Sequence, residues 1–478
     1  MITEKNTPRL QGNKMGTMPE GKLLLTMALP LVLSMLVQAL YNVVDSIYVS
    51  RVSESAVTAL SLACPIQNLQ IGCATGIAVG VNSLLSKSLG QGDRQQANRA
   101  AGNGIFLTMV LVVGFMLFGF LGAKGYYSMQ PISQQTAESG TQYTAICCVM
   151  TAGVFVEILG ERLLQATGKT VFTLFTQGIG AVLNILLDPL FIYGYEPLGI
   201  PAIGVAGAAI ATVIGQWAAA LLAVFFNLKY NTDVLFSLKD LRPRRDTVGK
   251  ILTVGIPAML MMAIGSVTNF CMNQIFLGFK DIGETGSAVF GIYFKLQSFF
   301  LMPVFGLNNA SVSILAYNYG ARNPKRITKT LKFAVAAALF VLTVGFAVFQ
   351  VIPDVLMDIF AASREAGSSQ FAAIGVSALR IVSIHFPIAA VGIALGASFQ
   401  ALGNGTYSAI TSLTRQLIVL VPAAYLLSMT GNIHAVWWAF PIAEVVSLVL
   451  TLILYARIYK KKIKPLWQEE DAEAYLPA

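Results

Sequence analysis

The chain has 478 residues, of which 55% are hydrophobic and only 12% charged, and its mean hydropathy is +0.68. Soluble globular domains carry roughly 25% charged residues, so the composition excludes that class and leaves a polytopic membrane protein. The net charge of +9 does not call for nucleic acid, because Lys and Arg sit at the ends of hydrophobic runs, where they set topology.

Residues 1–21 are polar and lead directly into a long apolar run rather than a short one with a cleavage site, so no cleaved signal peptide is expected. Hydrophobic runs follow at 23–49, 58–85, 102–123, 142–164, 171–193 and 203–228. A second set lies at 250–277, 287–317, 331–352, 372–401, 405–428 and 434–457. At about 20 residues per span these make twelve transmembrane helices, several long enough to be tilted. The one long polar connector, Asn227 to Lys250, carries Arg242-Pro243-Arg244-Arg245. The predicted organisation is an N-terminal lobe 1–228, a linker 229–250, and a C-terminal lobe with its tail at 251–478. Cys64, Cys73, Cys147, Cys148 and Cys271 all lie in apolar runs, so neither a disulfide framework nor a metal site is expected.

Basic residues crowd alternate connectors, at 5–22, 87–99, 162–169, 229–250, 322–332 and 457–464. The other loops hold only Arg51, Lys124, Lys280 and Arg364. This bias predicts a multi-pass protein of the cell membrane with both termini and the linker cytoplasmic.

The two halves repeat. Leu25-Thr26-Met27-Ala28-Leu29-Pro30 answers Leu252-Thr253-Val254-Gly255-Ile256-Pro257, and Gln165-Ala166-Thr167-Gly168-Lys169 answers Gln400-Ala401-Leu402-Gly403-Asn404. Six helices per repeat with both N-termini on one side make the repeats parallel. The predicted fold is an all-α integral membrane protein of two six-helix lobes around a central cleft, where paired-repeat transporters place their substrates.

Four acids lie deep within spans: Asp45, Glu157, Asp188 and Glu444. The bases are Lys295, Arg380 and Arg415. A lone charge at membrane depth costs about 2.5–3.5 kcal/mol on insertion scales, so each asks for a function or a partner. Structural ion pairs are one reading for Glu444, Arg380 and Arg415. For Asp45 and Asp188 the repeat supplies a control: they align with Met272 and Val421, and the nearby Asn184 and Thr212 align with Leu417 and Ile442. Packing of the repeat therefore does not require the polar set, and function is the better explanation. Gln38, Tyr41 and Asp45 share one face of the first helix, and Asn184 and Asp188 one face of the fifth. Pro189 leaves the Ile185 carbonyl without its helical donor, and Pro30 does the same for Thr26, giving a place to bend. Carboxylates, an amide oxygen, a hydroxyl and freed carbonyls suit a proton or Na⁺. Glu161, with Arg162 and Lys169 nearby, is expected to form an interfacial salt bridge. Glu157 is a candidate cavity acid and Lys295 a candidate charge partner near the cavity. His385 and His434 read as structural.

The stretches Ala28-Leu29-Pro30 through Val44-Asp45-Ser46, Asn184-Ile185-Leu186-Leu187-Asp188-Pro189 and Gly204 through Thr212 resemble the multidrug and toxic compound extrusion (MATE) transporters. Gly90-Gln91-Gly92-Asp93, Gly160 through Gly168 and Gly291 through Phe299 fit as well, most nearly the MepA-like bacterial branch. The resemblance covers nearly the whole chain. It implies a secondary exporter of amphipathic, mostly cationic compounds by antiport with H⁺ or Na⁺, with no other cofactor. It further implies a coupling-cation site at Asp45 and Asp188 with Asn184 and Thr212, and Gln38 and Tyr41 lining the N-lobe cavity. The seventh helix departs from branches that carry an acid there, having only Asn269, Asn273 and Gln274 as strongly polar interior residues, which favours coupling through the N-lobe. A monomer is expected. The alternative is a lipid-linked glycan flippase of the same superfamily, which Lys295, Arg380 and Arg415 would serve. No HExxH, paired-Asp or Ser/His arrangement supports an intramembrane enzyme.

Overall fold

Every hydrophobic run folds as helix. The computed structural model describes residues 13–50, 54–130, 132–195, 197, 199, 201–280, 282–361 and 368–474, apart from the side chains of 41–47, 49–50, 54–55, 57, 359–361, 368–370 and 470–474. Ten uninterrupted helices are long and apolar enough to cross a membrane, and two bent pairs bring the total to twelve among the described residues. We number them in chain order. The first repeat holds α1 (Glu20–Ser50), α2 (Glu54–Gly90), α3 (Arg94–Ser128), α4 (Gln134–Val149 with Ala152–Ala166), α5 (Val171–Ile192) and α6 (Val205–Tyr230). The second holds α7 (Arg245–Leu277), α8 (Gly283–Gly320), α9 (Pro324–Val351), α10 (Phe371–Ser383 with His385–Ala401), α11 (Gly405–Ser428) and α12 (Ile433–Glu469). Large apolar side chains stand exposed along α3, among them Met109, Phe120 and Leu121. Such a stripe belongs against lipid, not water.

The repeat is visible in the backbone. The bend within α4 is 45° and that within α10 is 43°, at matching places. The α2–α3 turn closes with Asp93 N donating to the Ser88 carbonyl at 3.0 Å, and the α8–α9 turn with Asn323 N donating to Asn318, also at 3.0 Å. Both turns need a left-handed residue, supplied by Gly92 (φ 76°) in the first and by Arg322 (φ 54°) in the second. Asp93 and Asn323 then cap the next helices, accepting from Gln96 N at 2.8 Å and Arg326 N at 3.0 Å. Replacing Asp93 by Ala should cost about 1 kcal/mol of stability, read as a lower unfolding midpoint in detergent.

By contacts the chain divides into two compact units. One comprises Leu29–Met259 with Met1–Met18, the other Leu260–Ala478 with Pro19–Ala28. The division differs from the expected break at the linker: it passes through α1 just before Pro30 and through α7 just after Pro257. Both boundaries lie within two residues of a proline. Each proline removes a helical hydrogen bond, and four residues earlier a threonine hydroxyl bonds back to the turn before it, Thr26 to the Lys22 carbonyl and Thr253 to the Gly249 carbonyl, both at 2.7 Å. Both devices favour a bend. The linker is packed within the first unit, where Asn103 donates to the Asp240 and Arg242 carbonyls (2.9 and 3.2 Å) and accepts from Arg244 N at 2.8 Å.

Candidate functional site

The polar residues singled out on α5 and α6 meet. Small residues let these two helices approach closely. A Cβ added to Gly215 would lie 2.8 Å from the Gly180 carbonyl oxygen, and Gly207 lies against the Phe191 carbonyl. These two contacts bracket the segment between them, so Asn184 and Asp188 on α5 face Thr212 on α6. All three are buried, Asp188 completely. With the Asn184 amide oriented to suit both neighbours, its nitrogen donates to Asp188 Oδ2 at 2.7 Å and its oxygen accepts from the Thr212 hydroxyl at 3.2 Å. One residue further, Pro189 lies inside α5 and withholds a donor from the Ile185 carbonyl. A carboxylate, an amide and a hydroxyl, all hard oxygen donors, are thus gathered where the backbone also offers a carbonyl.

The side chains of Asp45 and Tyr41 lie outside the described residues. The backbone of α1 around them is tied to this region. Tyr193, at the end of α5, donates its hydroxyl to the Tyr48 carbonyl at 2.7 Å, and Tyr48 packs against the buried cluster that holds Ile192, Val205 and Ala209. Asp45 is one helical turn before Tyr48. Gln38 is exposed on the same helix, and Pro30 is half-buried.

The remaining intramembrane charges depart from expectation at one point. Among the described residues Glu161 forms no salt bridge, contrary to the expectation. It is buried and accepts from Thr176 Oγ1 at 2.6 Å and Gln177 Nε2 at 3.0 Å, both on α5. Arg162 turns instead to Gln165 Oε1 (3.0 Å), and Lys169 to Asp233 (3.4 Å). Sequence adjacency suggested the ion pair; the helix that packs across it supplied neutral donors first. Lys295 is exposed and makes no ion pair among the described residues. Glu157 is half-buried one turn before Glu161. In the second repeat Arg415 and Glu444 pair at 3.5 Å, whereas Arg380 is exposed. The two histidines are held structurally, His385 Nδ1 by the Val382 carbonyl (2.6 Å) and His434 Nδ1 by Ser377 Oγ (2.9 Å).

The MatE family model matches residues 30–190 and 257–426, one block in each repeat. The chain is similar to the multidrug export protein MepA of Staphylococcus haemolyticus, 24% identical over 434 residues that cover 91% of this chain and 92% of the relative. MepA of Staphylococcus aureus is 23% identical over 448 residues, covering 91% and 94%. Among solved structures it is similar to a MATE protein crystallised in complex with MaL6. The TM-score is 0.88 at 24% identity, with 96% of this chain and 99% of that one covered.

Proposed function

The chain belongs to the MatE family of multidrug and toxic compound extrusion transporters, and on that premise we propose that it exports amphipathic organic cations in exchange for an inward-moving H⁺ or Na⁺. The observation that carries the coupling is the buried contact of Asp188 with Asn184 and, through it, Thr212. A fully buried carboxylate in a membrane span costs several kcal/mol unless something offsets its charge. A proton or a monovalent cation does so, and its release restores the charge. The site therefore has two states of different energy, which is what coupling to a conformational equilibrium requires. Asp45 completes the set in this reading, and Glu157, Gln38, Tyr41 and Lys295 are assigned to the substrate path. The protein works by alternating access, with Pro30 in α1 as the hinge and both termini cytoplasmic.

The names of the MepA relatives support multidrug export. The flippase reading loses ground because Arg415, one of the three bases it relied on, is neutralised by Glu444. Purified protein in liposomes, loaded with a fluorescent organic cation, should show transport driven by an imposed pH gradient or by an imposed Na⁺ gradient. The arm that responds identifies the coupling ion. Transport indifferent to both would overturn the proposal.

A further inference from the structure

The second repeat carries a polar site of its own, built on the helix pair equivalent to α5 and α6. Arg415 on α11 and Glu444 on α12 border a cavity of about 100 Å³ lying wholly within the second unit. By the register of the repeat, Arg415 aligns with Val182 and Glu444 with Ile214, so packing does not require this pair any more than it requires Asp188. The cavity exists because α10 has Gly392 and Gly396 where α4 has Glu157 and Glu161. A Cβ on Gly392 would stand 3.8 Å from Glu444 Oε1, and one on Gly396 would meet nothing within 4 Å. Arg415 lies in a π-helical segment, Thr414–Leu420, whereas α5 is α-helical from Val171 to Ile192. Such widened turns re-aim side chains and are frequent at functional sites.

The lining asks for donors. Asn308 Oδ1 is buried and accepts no hydrogen bond among the described residues. Thr411 and Thr451 have already given their hydroxyl protons to the Ser408 and Ser447 carbonyls, and Ser412 accepts from Gln416. The charged donor of the lining is Arg415, which reaches Glu444 at 3.5 Å and is about one-third exposed, while Glu444 is buried. A bidentate Arg–carboxylate pair would hold far more tightly.

We infer that this cavity is a binding site for the N–H-bearing head group of an organic cation, an amidinium or primary ammonium, which takes Glu444 from Arg415 and donates to Asn308 as well. Arg415 is the resident counter-ion, and its displacement sets a threshold that donor-free cations do not pass. The inference rests on the proposed export of organic cations, and equilibrium binding in detergent separates the two. That measurement needs no ion gradient, so it succeeds or fails independently of antiport.

The test compares an aryl-amidinium dye with tetraphenylphosphonium, which has no N–H. In Glu444→Gln, affinity for the dye should fall about tenfold or more, as for loss of a charged hydrogen-bond partner, with tetraphenylphosphonium affinity unchanged. Gly396→Ile fills the cavity, leaves the ion pair intact and should give the same selective loss. Arg415→Ala removes the competitor and should keep or tighten dye binding. Unchanged dye affinity in both Glu444→Gln and Gly396→Ile, or equal loss of both probes, would overturn the site and leave the pair a packing element.

Discussion

Replacing Asp188 by Asn should abolish gradient-driven transport while leaving the protein folded and inserted. The substitution keeps the shape of the side chain and removes the one property the site needs, a charge that a cation can neutralise. Asn184 now faces an amide instead of a carboxylate and can turn its own amide to match, so the local hydrogen bonds survive in neutral form. Asp188 is completely buried, and a charge at membrane depth costs about 2.5–3.5 kcal/mol on insertion scales. The variant should therefore unfold no earlier than the parent. Uptake by proteoliposomes should drop to that of protein-free vesicles under both pH and Na⁺ gradients. Uptake at the parental rate would remove Asp188 from the coupling site. A lost transport signal accompanied by early unfolding would make its role structural.

How much of this site could be read from residues alone depends on the distance over which a partner acts. Asn184 and Asp188 are four apart on one helix, so their contact follows from helical geometry. Thr212 joined them because its mate in the second repeat, like theirs, is apolar. The twelve spans were legible because lipid demands long apolar runs, and the repeat because Leu25-Thr26 through Pro30 and Gln165-Ala166 through Gly168 recur in the second half as Leu252-Thr253 through Pro257 and Gln400-Ala401 through Gly403. What was not legible depends on which helix packs across a given face. Glu161 sits beside Arg162 in sequence, yet its hydrogen bonds come from Thr176 and Gln177 on the next helix. Lys295 lies deep in a helix by register, but register does not say which face is covered, and the lysine is exposed. Arg415 and Glu444 are on neighbouring spans 29 residues apart, and the π-helical turn that carries Arg415 has no signature in the sequence. The cavity beside them was written in the sequence as two glycines, Gly392 and Gly396, whose meaning appears only once the repeat is aligned.

The close approach of α5 and α6 is what makes the triad possible, and it can be tested without touching a polar residue. In Gly215→Ala the new methyl must stand 2.8 Å from the Gly180 carbonyl oxygen and 3.6 Å from Asn184 Cβ. The first neighbour is backbone and cannot swing aside, so the helices have to part at the level of Asn184. Overpacking of this kind costs about 1–3 kcal/mol. Gly178→Ala, on the same α5, is the control: its Cβ would meet nothing within 4 Å, and replacing a helical glycine by alanine is favourable by roughly 0.8–1.0 kcal/mol. The two variants should move thermal stability in opposite directions. Only Gly215→Ala should also weaken transport, because parting the helices lengthens the 3.2 Å link between Asn184 and Thr212. If both alanines stabilise and transport is untouched, the helices can separate without cost, and the geometric basis of the cation site on α5 and α6 fails with them.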